Sequence, residues 1–221
     1  RLASNHGIVN SQYTLGLIFL FGLNGSKSID KAVHYFTLAA KKYYVPALYI
    51  LGNLYFEGKL IERNVQKAIL YYKDGSSFNF NYAKNNLGII YKNGFETTKN
   101  IVYAIELFNE AIKQKDDKIS MYNLANIYIF DCDVKRDYEK SLNLLVRSSK
   151  NNFIYSKILL CILLIKMLKN IPVNDITNEI KDEALAKELY ELIIRFNMTN
   201  SYVYQTLFDT FSKIDFYYNI W

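Results

Sequence analysis

The segment LYILGNLYFEG, residues 48–58, decides the fold of this 221-residue chain. Its apolar residues suit one buried helix, yet Gly52 stands in the middle and Gly58 at the end. A glycine inside a helix costs about 1 kcal/mol relative to alanine. Gly52 therefore needs a structural reason, and the rest of the sequence supplies one by repeating the glycine at a fixed interval.

That interval is 36 residues, and both glycines of the segment recur at it. The glycines and alanines that keep the interval are Gly16, Gly52 and Gly88, then Gly22, Gly58 and Gly94, then Ala32, Ala68 and Ala104. A fourth copy follows with one extra residue and places Ala125 and Ser141 at corresponding positions. Self-similarity at one period indicates an array of stacked repeats.

Each copy contains two helices. Helix A carries small or apolar residues at every fourth position, as a helix with one buried stripe does, and its final glycine suits a left-handed C-cap. Six residues later, where helix B begins, each copy has a residue type preferred at helix N-caps. These residues are Ser28, Asn64, Asn100 and Asp137. We expect the small residues to let helices A and B of one copy approach closely, while the aromatic pair of helix B, such as Tyr71-Tyr72, fills the gap between copies.

The sequence therefore predicts an all-α fold, a right-handed α-solenoid of antiparallel helix pairs in which the A helices line the concave side. The predicted helices span residues 10–22, 28–43, 46–58, 64–77, 81–94, 100–114, 118–131, 137–150, 154–169, 179–196 and 199–218. Residues 1–153 would hold a partial copy, the tail of a helix B, and four regular copies. Residues 154–221 would hold a degenerate fifth copy and a capping helix of the same continuous solenoid. We also expect the chain to be a fragment of a longer protein.

This frame resembles the Sel-1-like repeat, a relative of the tetratricopeptide repeat, whose own period of about 34 residues does not fit. The second copy matches the family pattern at Leu51, Gly52, Tyr55, Gly58, Lys67, Ala68 and Tyr71. The second loop glycine of that pattern is missing in every copy. The resemblance implies a non-catalytic scaffold for protein–protein interaction.

Within that family, residues 121–145 (MYNLANIYIFDCDVKRDYEKSLNLL) resemble the luminal adaptors of Hrd-type ubiquitin ligases in endoplasmic-reticulum-associated degradation. This resemblance implies an adaptor that links substrate-recognition factors to a membrane ubiquitin ligase, in the lumen or at the membrane of the endoplasmic reticulum. The alternatives are a scaffold of another membrane or secretory complex and a nucleic-acid-binding helical repeat. The net charge of +6 permits the last alternative, but the lysines are scattered rather than aligned with aromatic residues. We therefore predict protein partners, no nucleic-acid partner and no direct membrane span in this fragment.

Residues that could perform chemistry are few. His6 and His34 have no second histidine at metal-ligand spacing, and Cys132 and Cys161 form neither a C-x-x-C motif nor a favoured disulfide pair. The sequence has no Walker loop, dinucleotide fingerprint or nucleophile elbow. We therefore predict no enzymatic activity, no cofactor and no metal site.

Two further patterns concern glycosylation and membrane insertion, and the first does not argue for a secretory route because chance alone gives about two such sequons in this chain. The N-x-S/T sequons at Asn24 and Asn197 lie in predicted turns, where an acceptor asparagine can be modified. The longest apolar run, residues 158–165, is far shorter than the roughly 20 residues that span a bilayer.

The predicted partner-binding surface is the face of helix A opposite its buried stripe, which we call the helix A row. Its residues are Tyr13, Leu17, Leu20, Tyr49, Asn53, Phe56, Asn85, Ile89, Lys92, Tyr122, Asn126 and Ile129. A merely solvated face would be charged, whereas Lys92 is the single charge here, and exposed aromatic and apolar clusters mark contact sites. The alternative is that neighbouring A helices bury these residues against each other.

Overall fold

The computed structural model describes residues 2–23, 25–167, 183–195, 198 and 205. The helices there are α1 (Leu2–Phe21), α2 (Ile29–Ala40), α3 (Val45–Glu57), α4 (Val65–Ser77), α5 (Asn81–Asn93), α6 (Ile101–Lys115), α7 (Lys118–Phe130), α8 (Tyr138–Lys150), α9 (Ile154–Met167) and α10 (Glu183–Arg195). No strand occurs among the described residues. The four copies are α1–α2, α3–α4, α5–α6 and α7–α8, which confirms the predicted all-α helix-pair fold.

The chain forms two compact units, and the division between them falls within α6, after Leu107. In the first unit, α1 packs on α2 and α3 on α4, and the second helix of each copy also contacts the first helix of the next. In the second unit, α7 packs on α8, α8 on α9 and α9 on α10. Within each unit this succession of pairs is that of an α-solenoid. The right-handed twist, the concave placement of the A helices and the boundary at residue 153 stay predictions.

The first helix differs from the prediction. It runs without a break from Leu2 to Phe21, so the proposed tail of a preceding helix B and the helix start at residue 10 are wrong. Residues 3–10 contain no proline, and Gly7 does not adopt a left-handed conformation, so nothing in the local sequence ends the helix there. The predicted helix over residues 199–218 lies outside the described residues, apart from Gln205.

The link from helix A to helix B is the same in all four copies. The N-cap residue of helix B donates its backbone N–H to a carbonyl nine residues earlier, in the last turn of helix A. These bonds are Ser28 to Phe19 (2.9 Å), Asn64 to Tyr55 (2.9 Å), Asn100 to Tyr91 (2.8 Å) and Asp137 to Tyr128 (3.1 Å). The same four side chains accept a bond from the N–H three residues on, which confirms them as N-caps. We call this arrangement the A–B link.

Left-handed residues mark both turns of a copy. Helix A of the first three copies ends at Gly22, Gly58 and Gly94, with φ of 71°, 67° and 68°, as predicted for C-caps. The turn from helix B to the next helix A contains a non-glycine residue with positive φ in every copy. These residues are Tyr43 (56°), Asn79 (61°), Asp116 (50°) and Asn152 (55°). Asparagine and aspartate tolerate this conformation well, so Tyr43 is the exception.

Candidate partner-binding surface

The mid-helix glycines have a direct packing role. A Cβ atom on Gly52 would lie 2.4 Å from the ring of Tyr72, and one on Gly16 would lie 2.5 Å from the ring of Phe36. Each aromatic residue therefore lies against the glycine of its own copy. Tyr72 also contacts the next copy, because Asn86 Nδ2 donates to its hydroxyl at 3.3 Å. The expectation that this residue fills the gap between copies is therefore incomplete, since its ring also packs within its own copy. The alanines Ala32, Ala68 and Ala104 are fully buried, as their structural role requires.

The helix A row is largely buried. Ten of its twelve residues are at most 9% exposed, and only Tyr13 and Leu17 are partly exposed. The buried members are Leu20, Tyr49, Asn53, Phe56, Asn85, Ile89, Lys92, Tyr122, Asn126 and Ile129. The expectation of an exposed face is therefore wrong for these ten, and a partner-binding role for the row stays a prediction.

The reason for this burial is visible at Tyr49. Its ring contacts those of Phe80 and Tyr82, at 5.3 and 6.0 Å between centroids, at the start of the next helix A. A helical wheel assigns each helix one buried and one exposed face. Because α3 contacts three helices, α2, α4 and α5, the face opposite its buried stripe is covered as well. Burial raises the pKa of the Tyr49 hydroxyl, and a hydrogen bond with Asn53 opposes this effect in part.

Four buried polar groups meet behind Tyr49. The Tyr72 hydroxyl donates to Asn53 Oδ1 at 2.6 Å, and Asn86 Nδ2 donates to the same oxygen at 3.1 Å. Asn85 Nδ2 lies 3.4 Å from Asn86 Oδ1. Amide side chains have no acid–base role at neutral pH, so this cluster positions α3, α4 and α5 rather than performing chemistry.

An exposed site lies beside the accessible end of the row. A cavity of about 270 Å³ opens between α1 and the turn from α2 to α3. We call it the aromatic pocket, and its lining residues are Val9, Asn10, Lys42, Tyr43, Tyr44, Val45 and Pro46. Tyr13 is one helical turn beyond Val9, and its ring lies 5.2 Å from that of Tyr44. Burial, and secondarily the neighbouring Tyr44, raises the pKa of Tyr13.

The backbone fixes the position of this pocket. Tyr43 and Tyr44 donate their N–H groups to the carbonyls of Ala40 and Ala39, at 2.8 and 3.2 Å, which closes the last turn of α2. Pro46 lies in the first turn of α3, where a missing N–H costs nothing. Tyr43 is 61% exposed, and its ring lies 5.8 Å from that of Phe78, which is 51% exposed. This site was not predicted from the sequence. The one feature that could have revealed it is a tyrosine at the position where the other copies carry Asn79, Asp116 and Asn152.

A second cavity, of about 360 Å³, lies beside the A–B link of the second copy. Asp30 and Glu62 line it together with Lys67, whose ammonium group lies 5.0 Å from the centre of the Tyr55 ring. Asn64, which also lines it, is already engaged as the N-cap of α4. The lining has no nucleophile paired with a general base.

The groups considered for chemistry lie apart. Cys132 is exposed and Cys161 is buried, both as free thiols, and burial raises the pKa of Cys161. His34 is exposed and contacts the ring of Tyr35, whereas the side chain of His6 lies outside the described residues. Of the sequon asparagines, neither Asn24 nor Asn197 is among the described residues.

One acidic group was not anticipated from the sequence. Asp131, Cys132 and Asp133 bring potential ligand atoms within 4.8 Å of one another in the turn after α7. Acidic residues at an exposed turn are common without a bound ion, so this group is not a metal site on geometry alone.

Among the described residues, no helix combines the length and apolarity needed to cross a membrane.

Comparisons with solved structures support the fold. The chain superposes on a Sel1 repeat protein from Oxalobacter formigenes with a TM-score of 0.63 at 19% identity, covering 96% of this chain and 75% of that one. It superposes on c5321, a protective antigen of uropathogenic Escherichia coli with an SLR fold, with a TM-score of 0.73 at 20% identity. That match covers 96% of this chain and 47% of that one, so the chain spans less than half of c5321. Among curated proteins, none matches the sequence.

The Sel1 repeat family model matches residues 9–44, 45–73, 81–116 and 118–153, which together make up more than half of the chain. The matched segments correspond to the four helix pairs α1–α2 to α7–α8. Sel1 repeat proteins are generally non-catalytic scaffolds, which suggests a protein-interaction role. The chain belongs to the Sel1 repeat family.

Proposed function

We propose that this chain is a non-catalytic scaffold that binds a protein partner through the aromatic pocket of its first unit. The observation that carries this proposal is the exposed Tyr43 at the rim of the pocket. Interfaces concentrate their binding energy in a few aromatic anchors, which lie in or beside a concave surface. Because the turn that carries Tyr43 is held by backbone hydrogen bonds, little ordering is needed when a partner binds.

Tyr13 and Leu17 extend this surface along α1. They are the two members of the helix A row that remain partly exposed, and Tyr13 contacts Tyr44 of the pocket. The ten buried members would contribute indirectly, by fixing the spacing of the helices that carry the surface. A variant at Tyr49 or Phe56 is therefore expected to lower stability before it lowers affinity.

The finer form of the proposal is an adaptor in endoplasmic-reticulum-associated degradation, which links substrate-recognition factors to a membrane ubiquitin ligase. Its support is the resemblance of residues 121–145 to luminal adaptors of Hrd-type ligases. This form places the protein in the lumen of the endoplasmic reticulum or at its membrane. A Sel1 repeat scaffold in another membrane or secretory complex is the second candidate, supported by the family fold alone.

The test uses the full-length protein in its own cells. Proximity labelling followed by mass spectrometry, with luminal and cytosolic fractions scored separately, should identify partners, and each purified partner should then bind the purified protein directly. The adaptor proposal expects ligase subunits in the luminal fraction. It also expects a glycosylated form whose gel mobility changes on endoglycosidase treatment. If Asn24 or Asn197 carries the glycan, Asn24→Gln or Asn197→Gln should remove that change.

Other outcomes would redirect the proposal. Labelling confined to the cytosolic fraction would overturn the adaptor form and leave the general scaffold. Failure of every purified partner to bind directly would overturn the scaffold itself. Association with nucleic acid that weakens steeply with salt would instead favour the nucleic-acid class.

A further inference from the structure

We infer that the aromatic pocket, together with the Tyr43–Phe78 contact, binds an extended protein segment in which a large apolar side chain neighbours an aspartate or glutamate. This inference rests on the proposed scaffold function and adds the chemistry of the partner. Its three supports are the shape and lining of the pocket, the backbone conformation of Tyr43 and the charge at the end of α2.

The lining selects for an apolar anchor. Val9, Val45 and Pro46 provide aliphatic wall, and Tyr43 and Tyr44 provide aromatic wall. The cavity, about 270 Å³, lies just below the range of roughly 300–1,000 Å³ that is usual for small-ligand pockets. A site of this size suits one large side chain of a peptide. Phe78, beyond Tyr43, extends the apolar surface toward the turn after α4 and so favours an extended segment over a single small molecule.

Tyr43 is retained at a cost to folding. A non-glycine residue in the left-handed region costs of order 1–3 kcal/mol, and asparagine is among the residues that bear it best. The second and fourth copies place Asn79 and Asn152 at this position, whereas the first copy places a tyrosine there. With 61% of its surface exposed, the Tyr43 side chain returns little of this cost through burial within the chain. Its aromatic ring is therefore explained better by contact with a partner.

The local charge selects for an acidic neighbour. Lys42 lines the pocket, Lys41 precedes it, and both are exposed. Neither lysine has an ion-pair partner among the described residues, and none of the lining residues is acidic. Asp30 begins the same helix, about 16 Å from Lys41 at 1.5 Å of rise per residue, too far to pair. Two lysines beside an aliphatic wall match a carboxylate next to an apolar side chain better than a phosphate backbone, which needs a longer basic stripe.

The experiment selects binders from a phage-displayed library of random peptides on the immobilised full chain, and then measures the affinity of the synthetic winners by fluorescence polarisation. We expect the winners to share an aromatic or large aliphatic residue within a few positions of an aspartate or glutamate. The decisive variant is Tyr43→Asn, which restores the residue type of the second and fourth copies. It should unfold at the same temperature as the parent or higher, and bind the winners at least about tenfold more weakly, or about 1.4 kcal/mol.

A charge-reversal pair tests the second half of the inference. Lys41→Glu/Lys42→Glu should abolish binding of the acidic winners, and selection on this variant should enrich lysine or arginine instead. The control is Lys115→Glu, which should leave affinity unchanged. Lys115 precedes the left-handed Asp116 in the third copy as Lys42 precedes Tyr43 in the first.

The outcomes separate the two proposals. Winners that lack acidic residues, or that bind Tyr43→Asn as well as the parent, would overturn the inference while leaving a scaffold that binds elsewhere. A selection that yields no binding peptide would overturn this pocket as a peptide site. The scaffold function is tested separately, by direct binding of the purified partners. Displacement of the winners by an oligonucleotide, lost at high salt, would overturn it in favour of nucleic acid.

Discussion

The second and fourth copies join helices A and B with different pairs of residues. In the second copy Gly52 leaves room for the ring of Tyr72, whose hydroxyl donates to the buried Asn53. In the fourth copy the corresponding residues are Ala125 and Leu145, both fully buried, and the hydroxyl of Ser141 lies 3.3 Å from the Ala125 carbonyl. A smaller residue on helix A thus accompanies a larger one on helix B. In these two copies the sizes of the two packed residues change in opposite directions.

The largest effect is expected from enlarging the glycine. Gly52→Ala places a methyl group 2.4 Å from a buried ring, and such overpacking costs about 1–3 kcal/mol. The gain in helix propensity, about 1 kcal/mol, offsets only part of this cost. Because the 2.4 Å approach is far inside van der Waals contact, we expect the upper end of the overpacking cost and a net loss of about 2 kcal/mol in the free energy of unfolding, measured by urea denaturation.

The rescue is to make the second copy resemble the fourth. Gly52→Ala/Tyr72→Leu should be more stable than the sum of its single variants by at least about 1 kcal/mol, because the two residues share one space. Additive effects would show that the pair is not a single packing unit. Ala125→Gly is the reciprocal control and should cost about 1 kcal/mol through helix propensity.

The end of helix A offers the next comparison. Gly58 has a φ of 67°, whereas α7 ends at Asp131 with a φ of −70° and no left-handed residue. Gly58→Ala should cost roughly 1–2 kcal/mol, because alanine is strained there and its Cβ would lie 2.4 Å from Arg63 Cβ. Asp131→Ala removes the bond that its carboxylate accepts from the Asp133 N–H and should cost less, about 0.5–1 kcal/mol. Equal losses in thermal unfolding would contradict the different backbone requirements.

A smaller effect should come from the hydroxyl groups at the two joints. Tyr72→Phe removes one of two bonds to the buried Asn53 oxygen and should cost about 1 kcal/mol. Ser141→Ala should cost about half as much, because its hydroxyl binds carbonyls that already belong to helices. Calorimetry can compare the two variants. If Ser141→Ala lowered stability more than Tyr72→Phe, the polar cluster around Asn53 would stabilise its helix pair less than the Ser141 hydroxyl stabilises the pair of the fourth copy.

The smallest effect concerns pH at the N-caps. The Lys140 backbone N–H, and then the Lys140 side chain, lower the pKa of Asp137, whereas Asn64 caps α4 without a charge. A lowered folded-state pKa gives stability that is present above the ordinary value of about 3.9 and is lost as the pH falls through the folded value. The stability difference between the parent and Asp137→Asn should therefore shrink below about pH 4.

Placing an aspartate at the N-cap of α4 tests whether the carboxylate charge causes this pH dependence. Asn64→Asp should gain the same acid sensitivity in α4, while Asn64→Ser should not. A difference between the parent and Asp137→Asn that stays constant across the acid range would show that the carboxylate charge contributes nothing to the cap.

The sequence predicted the helices and caps well because both depend on local rules. Glycines suited to positive φ and short polar N-caps each act within a few residues of the helix end that they form. The period of 36 residues repeats these local signals from copy to copy. The burial of the helix A row was not predictable in the same way, because Asn85 and Lys92 are polar residues buried by neighbouring elements. The pocket was missed for a related reason, since Val9 and Pro46 meet only when two copies stack.

The A–B link has a consequence for how the chain folds. Its backbone bond closes a loop of nine residues, and segments of about ten residues make such contacts in roughly 10–100 ns. Each helical hairpin can therefore form while its neighbours are still unstructured, and the later contacts between hairpins join elements that are already paired. Such local topology favours fast folding. We expect nascent chains on the ribosome to acquire their structure one hairpin at a time, in the order of synthesis.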